Sequence, residues 1–321
     1  MKERILITGG NGFLGHHLLP LLNAAKIEYW APKSKDLDIL TSQNIGNECD
    51  HGADIWWAIR QYQPTAILHM AAKCGGILAN KNSPADFLRD NTQMALNVYE
   101  AARTMKVPYV YSLGSVCAYP KYCPVPFKED NIWNGAAEET NFPYAQAKRT
   151  LMMLGQTYRV QYGIKGAHLI PVNMYGPYDH FDLTNSHVIP ALIRKFIDAK
   201  HTNAPEVKCW GTGNATREFL YAGDTAEVLV KAIASRFDND LPINLGVGQD
   251  ISIKNLTHLI KELTEYQGRV VFDGSVSDGQ PKRLLDTSRA KELLDWEATT
   301  ELQEGLKKTI DWYVKSDKDA R

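Results

Sequence analysis

Short apolar runs alternate with longer amphipathic stretches through the first half of the chain. RILIT (4–8), IEYWA (27–31), TAILHM (65–70), YVYSL (109–113) and KGAHLIP (165–171) are each the length of a buried strand. Between them, apolar positions recur at helical spacing over 13–25, roughly 53–63, 85–105 and 144–162. This alternation predicts βαβ units and a parallel, doubly wound sheet of the α/β class. One connection is irregular. No crossover helix fits between IEYWA and Asp36-Leu37-Asp38; the helix follows residue 50 and Pro64 punctuates its end. The second half predicts helices near 187–200, 224–236, 252–266 and 302–315, with short strands in VKCWG, LPINLG and RVVFD.

The bulk numbers narrow the class. A chain of 321 residues with 44% hydrophobic content can bury one large core or two joined ones. A net charge of −1 implies no basic face, so a nucleic-acid partner is not expected. Five cysteines without paired CxxC spacing fit neither a disulfide framework nor a zinc site, and no metal is expected. The N-terminus runs straight into a strand without the apolar region of a signal peptide. The apolar run AILHMAA stops at Lys73, far short of a membrane span. These features predict a soluble cytoplasmic protein.

RILIT-GGNGFLG-HHLL reads as strand, glycine turn and helix start, with Gly9, Gly12 and Gly15 spaced GxxGxxG. Such a loop lets a pyrophosphate approach helix N-terminal amides, so a Rossmann-type dinucleotide site is expected. The second strand ends in APKSKD, where Lys33, Ser34 and Lys35 suit a 2′-phosphate better than a bare ribose. NADP is therefore expected over NAD, although Asp36 lies close by. The dinucleotide-binding domain is expected over 1–171, with roughly 217–246 rejoining it, and a smaller interleaved substrate domain over the rest of 172–321.

YxxxK occurs twice. In Tyr29–Lys33 the intervening Pro32 argues against a helix; Tyr144–Lys148 falls in a good helical segment, where i,i+4 spacing puts both side chains on one face. An ammonium near a phenol favours the phenolate, so Tyr144 is expected to have a lowered pKa and to exchange a proton with a carbonyl or alcohol. Ser115 lies at the end of a central strand, where doubly wound sheets bind ligands. If the extended backbone persists, Ser115 and Cys117 share a face. From SVCAYP alone, Cys117 reads first as a small buried hydrophobe.

With the glycine loop, Ser115, Tyr144 and Lys148 in order, the chain resembles the extended short-chain dehydrogenase/reductases over nearly its whole length. AAKCGGILAN (71–80), SVCAYP (115–120), PVNMYGPYDHF (171–181), NSHVIPALIRKF (185–196), WGTGNATREFL (210–220) and DGQPKRLLD (278–286) narrow the likeness. They are similar to segments of family members that both epimerise and reduce GDP-linked 4-keto-6-deoxy sugars.

The resemblance implies NADP(H)-dependent 3,5-epimerisation and C4 reduction, with GDP-L-fucose as the expected product. By it Cys117 matches an epimerisation base and His187 its acid, and Ser115, Tyr144 and Lys148 match a reductase triad. It places the cofactor against Gly9, Asn11, Gly12, Phe13, Leu14, Gly15, Lys33, Asp38, Ala71, Ala72, Tyr144, Lys148, Pro171 and Asn173. It places the sugar nucleotide against Asn173, His187, Lys195, Trp210, Arg217 and Arg283.

Two departures stand out. Asn11 replaces an arginine frequent in the family, which weakens the NADP expectation. Lys195 replaces another, so a forked contact becomes a single-point one. The resemblance also implies a homodimer through the helices near 85–105 and 144–162. Three other readings remain: a GDP-4-keto-6-deoxy-heptose C4 reductase that does not epimerise, a sugar-nucleotide 4-epimerase that retains NAD and re-oxidises its alcohol, and a dinucleotide-binding sensor without turnover. The other cysteines, Cys49, Cys74, Cys123 and Cys209, are expected to be structural, and His16, His17 and His180 have no evident role.

Overall fold

The computed structural model describes residues 3–41, 53–183, 186–275 and 278–320. The first half runs β1 (Arg4–Thr8), α1 (Phe13–Ala24), β2 (Glu28–Trp30), α2 (Ile55–Tyr62), β3 (Ala66–His69), α3 (Ile77–Asn82), α4 (Pro84–Thr104), β4 (Tyr109–Leu113), α5 (Phe142–Tyr162) and β5 (His168–Pro171). The second half runs β6 (Asn173–Tyr175), α6 (Val188–His201), β7 (Glu206–Trp210), β8 (Thr216–Arg217), β9 (Phe219–Tyr221), α7 (Ala222–Ala234), β10 (Ile243–Leu245), β11 (Ile251–Ser252), α8 (Ile253–Leu263), β12 (Arg269–Asp273), β13 (Lys282–Arg283), α9 (Ser288–Leu294) and α10 (Leu302–Ala320).

The main sheet has six strands in the order β10-β5-β4-β3-β1-β2, and every pairing is parallel. Helices cover both faces, which is why β1 is apolar at consecutive positions. Ile5 and Ile7 point into one core with Leu14, Leu18 and Leu22 of α1; Leu6 points the other way, into a core with Val98 of α4 and Leu151 of α5. The strand order turns back between β1 and β3, so the crevice beyond their carboxyl ends is the ligand position of this architecture. Thr8, His69 and Leu113 end the three strands that border it.

A separate core joins Phe196 and Ile193 of α6 with Val207 of β7, Leu256 of α8 and Leu306 of α10. Two-stranded parallel pairs β7–β12 and β6–β9, and a three-stranded sheet β11-β8-β13, complete this part. α5 ends at Gly163, whose φ of 72° is the left-handed cap glycine supplies without strain. Cys49 and Asn185 lie outside the described residues.

Candidate active site

The glycine loop is built by close approach. Gly9 has φ +74°, and a Cβ there would stand 2.6 Å from the Ala71 amide nitrogen. At Gly15 a Cβ would stand 1.9 Å from the Gly10 carbonyl oxygen. Both positions exclude a side chain, and together they press α1 and the 71–72 segment against the loop. Gly12 caps α1 with no side-chain hydrogen bond, and the first turn carries no acidic residue. The amides of Phe13 and Leu14 are thus left for an anion, which fits the pyrophosphate of a dinucleotide. Leu14 itself packs into the core, so its contribution is backbone.

Asn11 donates from Nδ2 to the Ala31 carbonyl at 2.8 Å, tying the loop to the end of β2. Lys33, Ser34 and Lys35 are exposed just beyond. The Asp38 carboxylate accepts from the Leu40 amide at 2.9 Å and the Thr41 hydroxyl at 2.7 Å, a local turn-closing job. His16 stacks on Tyr178 with centroids 4.3 Å apart, and His17 Nε2 lies 2.9 Å from the Pro177 carbonyl, so both pin the 176–178 turn to α1.

Ser115 and Cys117 are neighbours, but by a different route from strand alternation. β4 ends at Leu113, and Ser115 caps a single 3-10 turn over Val116–Ala118. Its Oγ accepts the Cys117 amide at 3.2 Å. Tyr144 and Lys148 stand one turn apart at the start of α5, and the Tyr144 hydroxyl lies close to Ser115. Lys148 Nζ donates to the Leu113 carbonyl at 2.9 Å and lies 5.7 Å from the Tyr144 ring centre.

The electrostatics reverse one expectation. Tyr144 is pushed well above the ordinary phenol value, first by burial and then by the neighbouring Cys74 and Cys117; the Ser115 hydroxyl opposes this without overcoming it. Burial dominates, and the Lys148 ammonium is hydrogen-bonded to Leu113 rather than to the phenol. Lys148 is lowered to about 8 by burial, with the two thiols pulling the other way. Behind it, His69 and His168 are buried against Thr8 and Ser112, each 2.8 Å away, and are lowered to about 3 by burial and then by Lys148.

A cavity of about 570 Å³ opens beside these groups, lined by Lys73, Cys74, Phe87, His180 and His187 among others. Phe87 meets the Tyr144 ring edge-on at 6.3 Å, which joins the cavity to the triad. His187 opens α6 with no side-chain capping bond. Its ring is reachable from the cavity but sits deep among protein atoms, and that desolvation, with His180 beside it, lowers its pKa. Cys74 belongs here too. Its thiol is accessible from the cavity, and burial among the surrounding atoms raises its pKa against the pull of Lys148. The sequence reading set Cys74 aside, although its position just past β3, at the crevice, is the available signal. Asn91 of α4 grips the backbone of Lys73 from both sides, at 2.9 Å each, and fixes this segment.

Ala71 and Ala72 follow β3, Pro171 ends β5 and Asn173 opens β6, all at the same crevice. Asn173 Nδ2 donates to the Glu218 carbonyl at 3.0 Å. On the far side, Arg217 and Arg283 are register partners in β8 and β13. Arg283 Nη1 reaches Cys117 Sγ at 3.7 Å. Trp210 is 60% exposed, and Lys195 lies 5.3 Å from its ring centre while donating to the Lys208 carbonyl at 3.0 Å. The structure therefore brings Ser115, Cys117, Tyr144, Lys148 and Arg283 together, places His187 on a cavity whose Phe87 meets Tyr144, and sets Lys195 and Trp210 apart as a second group. Among the described residues no helix is long and apolar enough to cross a membrane.

Residues 5–246 match the NAD dependent epimerase/dehydratase family, and the chain belongs to it. It is 42% identical to "Probable GDP-L-fucose synthase 1" of Oryza sativa subsp. japonica, over 98% of this chain and 92% of that one. Among solved structures, a GDP-L-fucose synthetase from Naegleria fowleri bound to NADP superposes with a TM-score of 0.85 at 27% identity, covering 99% of this chain and 96% of that one. A GDP-6-OMe-4-keto-L-xylo-heptose reductase from C. jejuni superposes with a TM-score of 0.87 at 26% identity, covering 98% of each.

Proposed function

We propose that the chain is an NADP(H)-dependent enzyme that epimerises a GDP-4-keto-6-deoxy sugar at C3 and C5 and reduces it at C4, giving GDP-L-fucose. The observation that carries this reading is the convergence of Cys117, Ser115, Tyr144 and Lys148 beside a cavity that also holds His187. The open N-terminus of α1, with Gly9, Gly12 and Gly15, would hold the pyrophosphate, and Lys33 would approach the 2′-phosphate. When bound, the cofactor supplies the hydride that reaches C4.

The protein's part divides into two tasks. The C–H bonds flanking the C4 carbonyl are acidic, and a Cys117 thiolate removes one such proton on one face of the sugar. Ser115 and Tyr144 donate to the oxygen that gathers negative charge. His187, from across the cavity, returns a proton on the other face. In the reduction, Tyr144 gives its proton to O4. Its raised pKa suits this direction, because the hydroxyl stays protonated at neutral pH. The Lys148 ammonium, fixed on Leu113, favours the negative charge that builds on Tyr144 as its proton leaves.

Arg217, Arg283, Lys195 and Trp210 are assigned to the GDP part: two guanidiniums for the diphosphate and an exposed indole for stacking. The reading also places cofactor binding in 1–171 with 217–246, and sugar-nucleotide binding in the rest of 172–321. A cytoplasmic homodimer completes it. Met153 and Val160, exposed on one face of α5, and Leu96, exposed on α4, suit a second copy.

A second reading, a single-function reductase acting on a GDP-heptose, is kept because of the likeness to the C. jejuni enzyme. Incubation with GDP-4-keto-6-deoxy-D-mannose and NADPH tests the assignment. One NADPH oxidised for each GDP-L-fucose formed supports it. Turnover of a GDP-4-keto-heptose alone, without epimerisation, moves the chain to the second reading.

A further inference from the structure

Arg283 does more than line the diphosphate side of the site. β13 pairs with β8 so that Arg283 stands opposite Arg217, and two guanidiniums side by side repel. Burial, with Arg283 next to it, lowers Arg217 to about 10. Their oxygen partners are neutral. Arg217 donates to the carbonyls of Thr216 at 2.8 Å and Asp278 at 3.1 Å, and Arg283 Nε donates to the Gln280 side-chain oxygen at 2.8 Å. Asp278, Cys117 and Glu138 are the acidic groups around Arg217, and the Cys117 thiol is in contact with Arg283, whose Nη1 stands 3.7 Å from Sγ.

That contact is held by a built frame. Gln280, 5% exposed, donates from Nε2 to the carbonyls of Pro120 at 3.2 Å and Lys121 at 2.8 Å, just beyond the Cys117 turn. Its other side-chain atom accepts from Arg283. One amide thus ties down the turn that carries the cysteine and aims the guanidinium at it. The Phe127 amide adds a bond to the Leu284 carbonyl at 2.8 Å, next to Arg283.

We propose that Arg283, oriented by Gln280, is a positioning residue that holds the Cys117 sulfur in place as the proton acceptor. A guanidinium keeps its charge at every working pH and offers an N–H to sulfur. In the abstraction, the substrate C–H bond breaks and an S–H bond forms. The electron pair moves into the carbonyl, whose oxygen Ser115 and Tyr144 hold. His187 then donates a proton to carbon; the thiol loses its proton to water and His187 takes one up from water, which restores both groups. The other charged or titratable groups facing Cys117 are Tyr144 and Lys148 from α5 and Arg217 from β8. The inference deepens the reading of Cys117 as the epimerisation base and rests on it.

The test uses the full-length protein without substrate, so that loss of diphosphate binding cannot intrude. Alkylation of Cys117 by iodoacetamide is followed from pH 5.5 to 9.5 by mass spectrometry of its peptide, with Cys117→Ser as the blank. Arg283→Met is expected to slow alkylation roughly tenfold across this range, the effect of removing one close positive charge. Arg283→Lys restores part of the rate, and Gln280→Leu gives an intermediate loss. A parental profile in Arg283→Met overturns the proposal. If that variant does not fold, Arg283→Lys and Gln280→Leu decide: equal, parental rates in both overturn it as well. No sugar is involved, so a failure here is separate from a failure of the epimerase reading, which shows in solvent exchange.

Discussion

The Lys148 ammonium is hydrogen-bonded to the carbonyl of Leu113, the last residue of β4, at 2.9 Å. This bond parks the charge 5.7 Å from the centre of the Tyr144 ring and leaves the hydroxyl to Ser115. Lysine therefore acts on tyrosine through its field, and its protonation matters.

Lys148 is lowered to about 8 while Tyr144 stays protonated well beyond neutrality. The kcat/KM for ketone reduction is expected to be level near pH 7 and to fall as pH rises through about 8, where the ammonium is lost. Lys148→Arg keeps the charge and moves that limb upward. Lys148→Met lowers kcat by roughly 100-fold, the usual scale for a positioned acid–base or electrostatic partner. Initial rates across pH 6 to 10 check both; a limb that stays in place in Lys148→Arg assigns it to another group.

The buried histidines set an acid limit on stability. Folded His69 and His168 are lowered to about 3 from an ordinary 6.5, so between these values the unfolded chain binds more protons. Their contribution is complete above about pH 6.5 and is lost as pH falls, at up to about 1.4 kcal/mol per pH unit for each. Urea unfolding at pH 7 and pH 4.5 should show the decline. His168→Gln, which keeps a partner for Ser112, should flatten it.

Arg217 and Trp210 are expected to act on binding alone. Arg217→Met and Trp210→Ala should each raise KM for the GDP-sugar by roughly ten- to 100-fold, the scale of a lost charge-assisted bond or hot-spot aromatic. Fluorescence titration should find NADPH affinity unchanged in both. An equal loss of NADPH affinity would place these residues elsewhere.

Val160 is 88% exposed on α5, and Met153 lies two turns earlier on the same face. A Val160→Glu substitution is expected to convert a dimer to monomers in light scattering, with little change in thermal stability of the single chain. A monomeric parent protein would contradict the assembly.

What could be read beforehand was what depends on local spacing. Gly9, Gly12 and Gly15 announce a loop because their spacing is local, although the approach of Ala71 that Gly9 permits does not show in it, and Tyr144–Lys148 needs only one helical turn. β1 was read to the residue, since its apolar run is bounded on both sides. α3 and α9, at 6 and 7 residues, are too short for a period to emerge. The turn at Ser115–Cys117 broke the alternation assumed there. The direction of the Tyr144 shift depends on burial contributed by distant segments, which spacing does not reveal. The same holds for the Gln280–Arg283–Cys117 frame, whose Gln280–Pro120 bond spans 160 positions.

Proton exchange at the sugar tests the central claim most directly. GDP-4-keto-6-deoxy-D-mannose is incubated with the protein in D₂O without NADPH and followed by NMR, and NADPH is then added. The account predicts deuterium at C3 and C5 before any reduction, followed by GDP-L-fucose. It also predicts loss of exchange in Cys117→Ser and His187→Gln. Reduction by the parent protein without prior exchange would contradict it, and would leave Cys117 and His187 without the roles assigned to them.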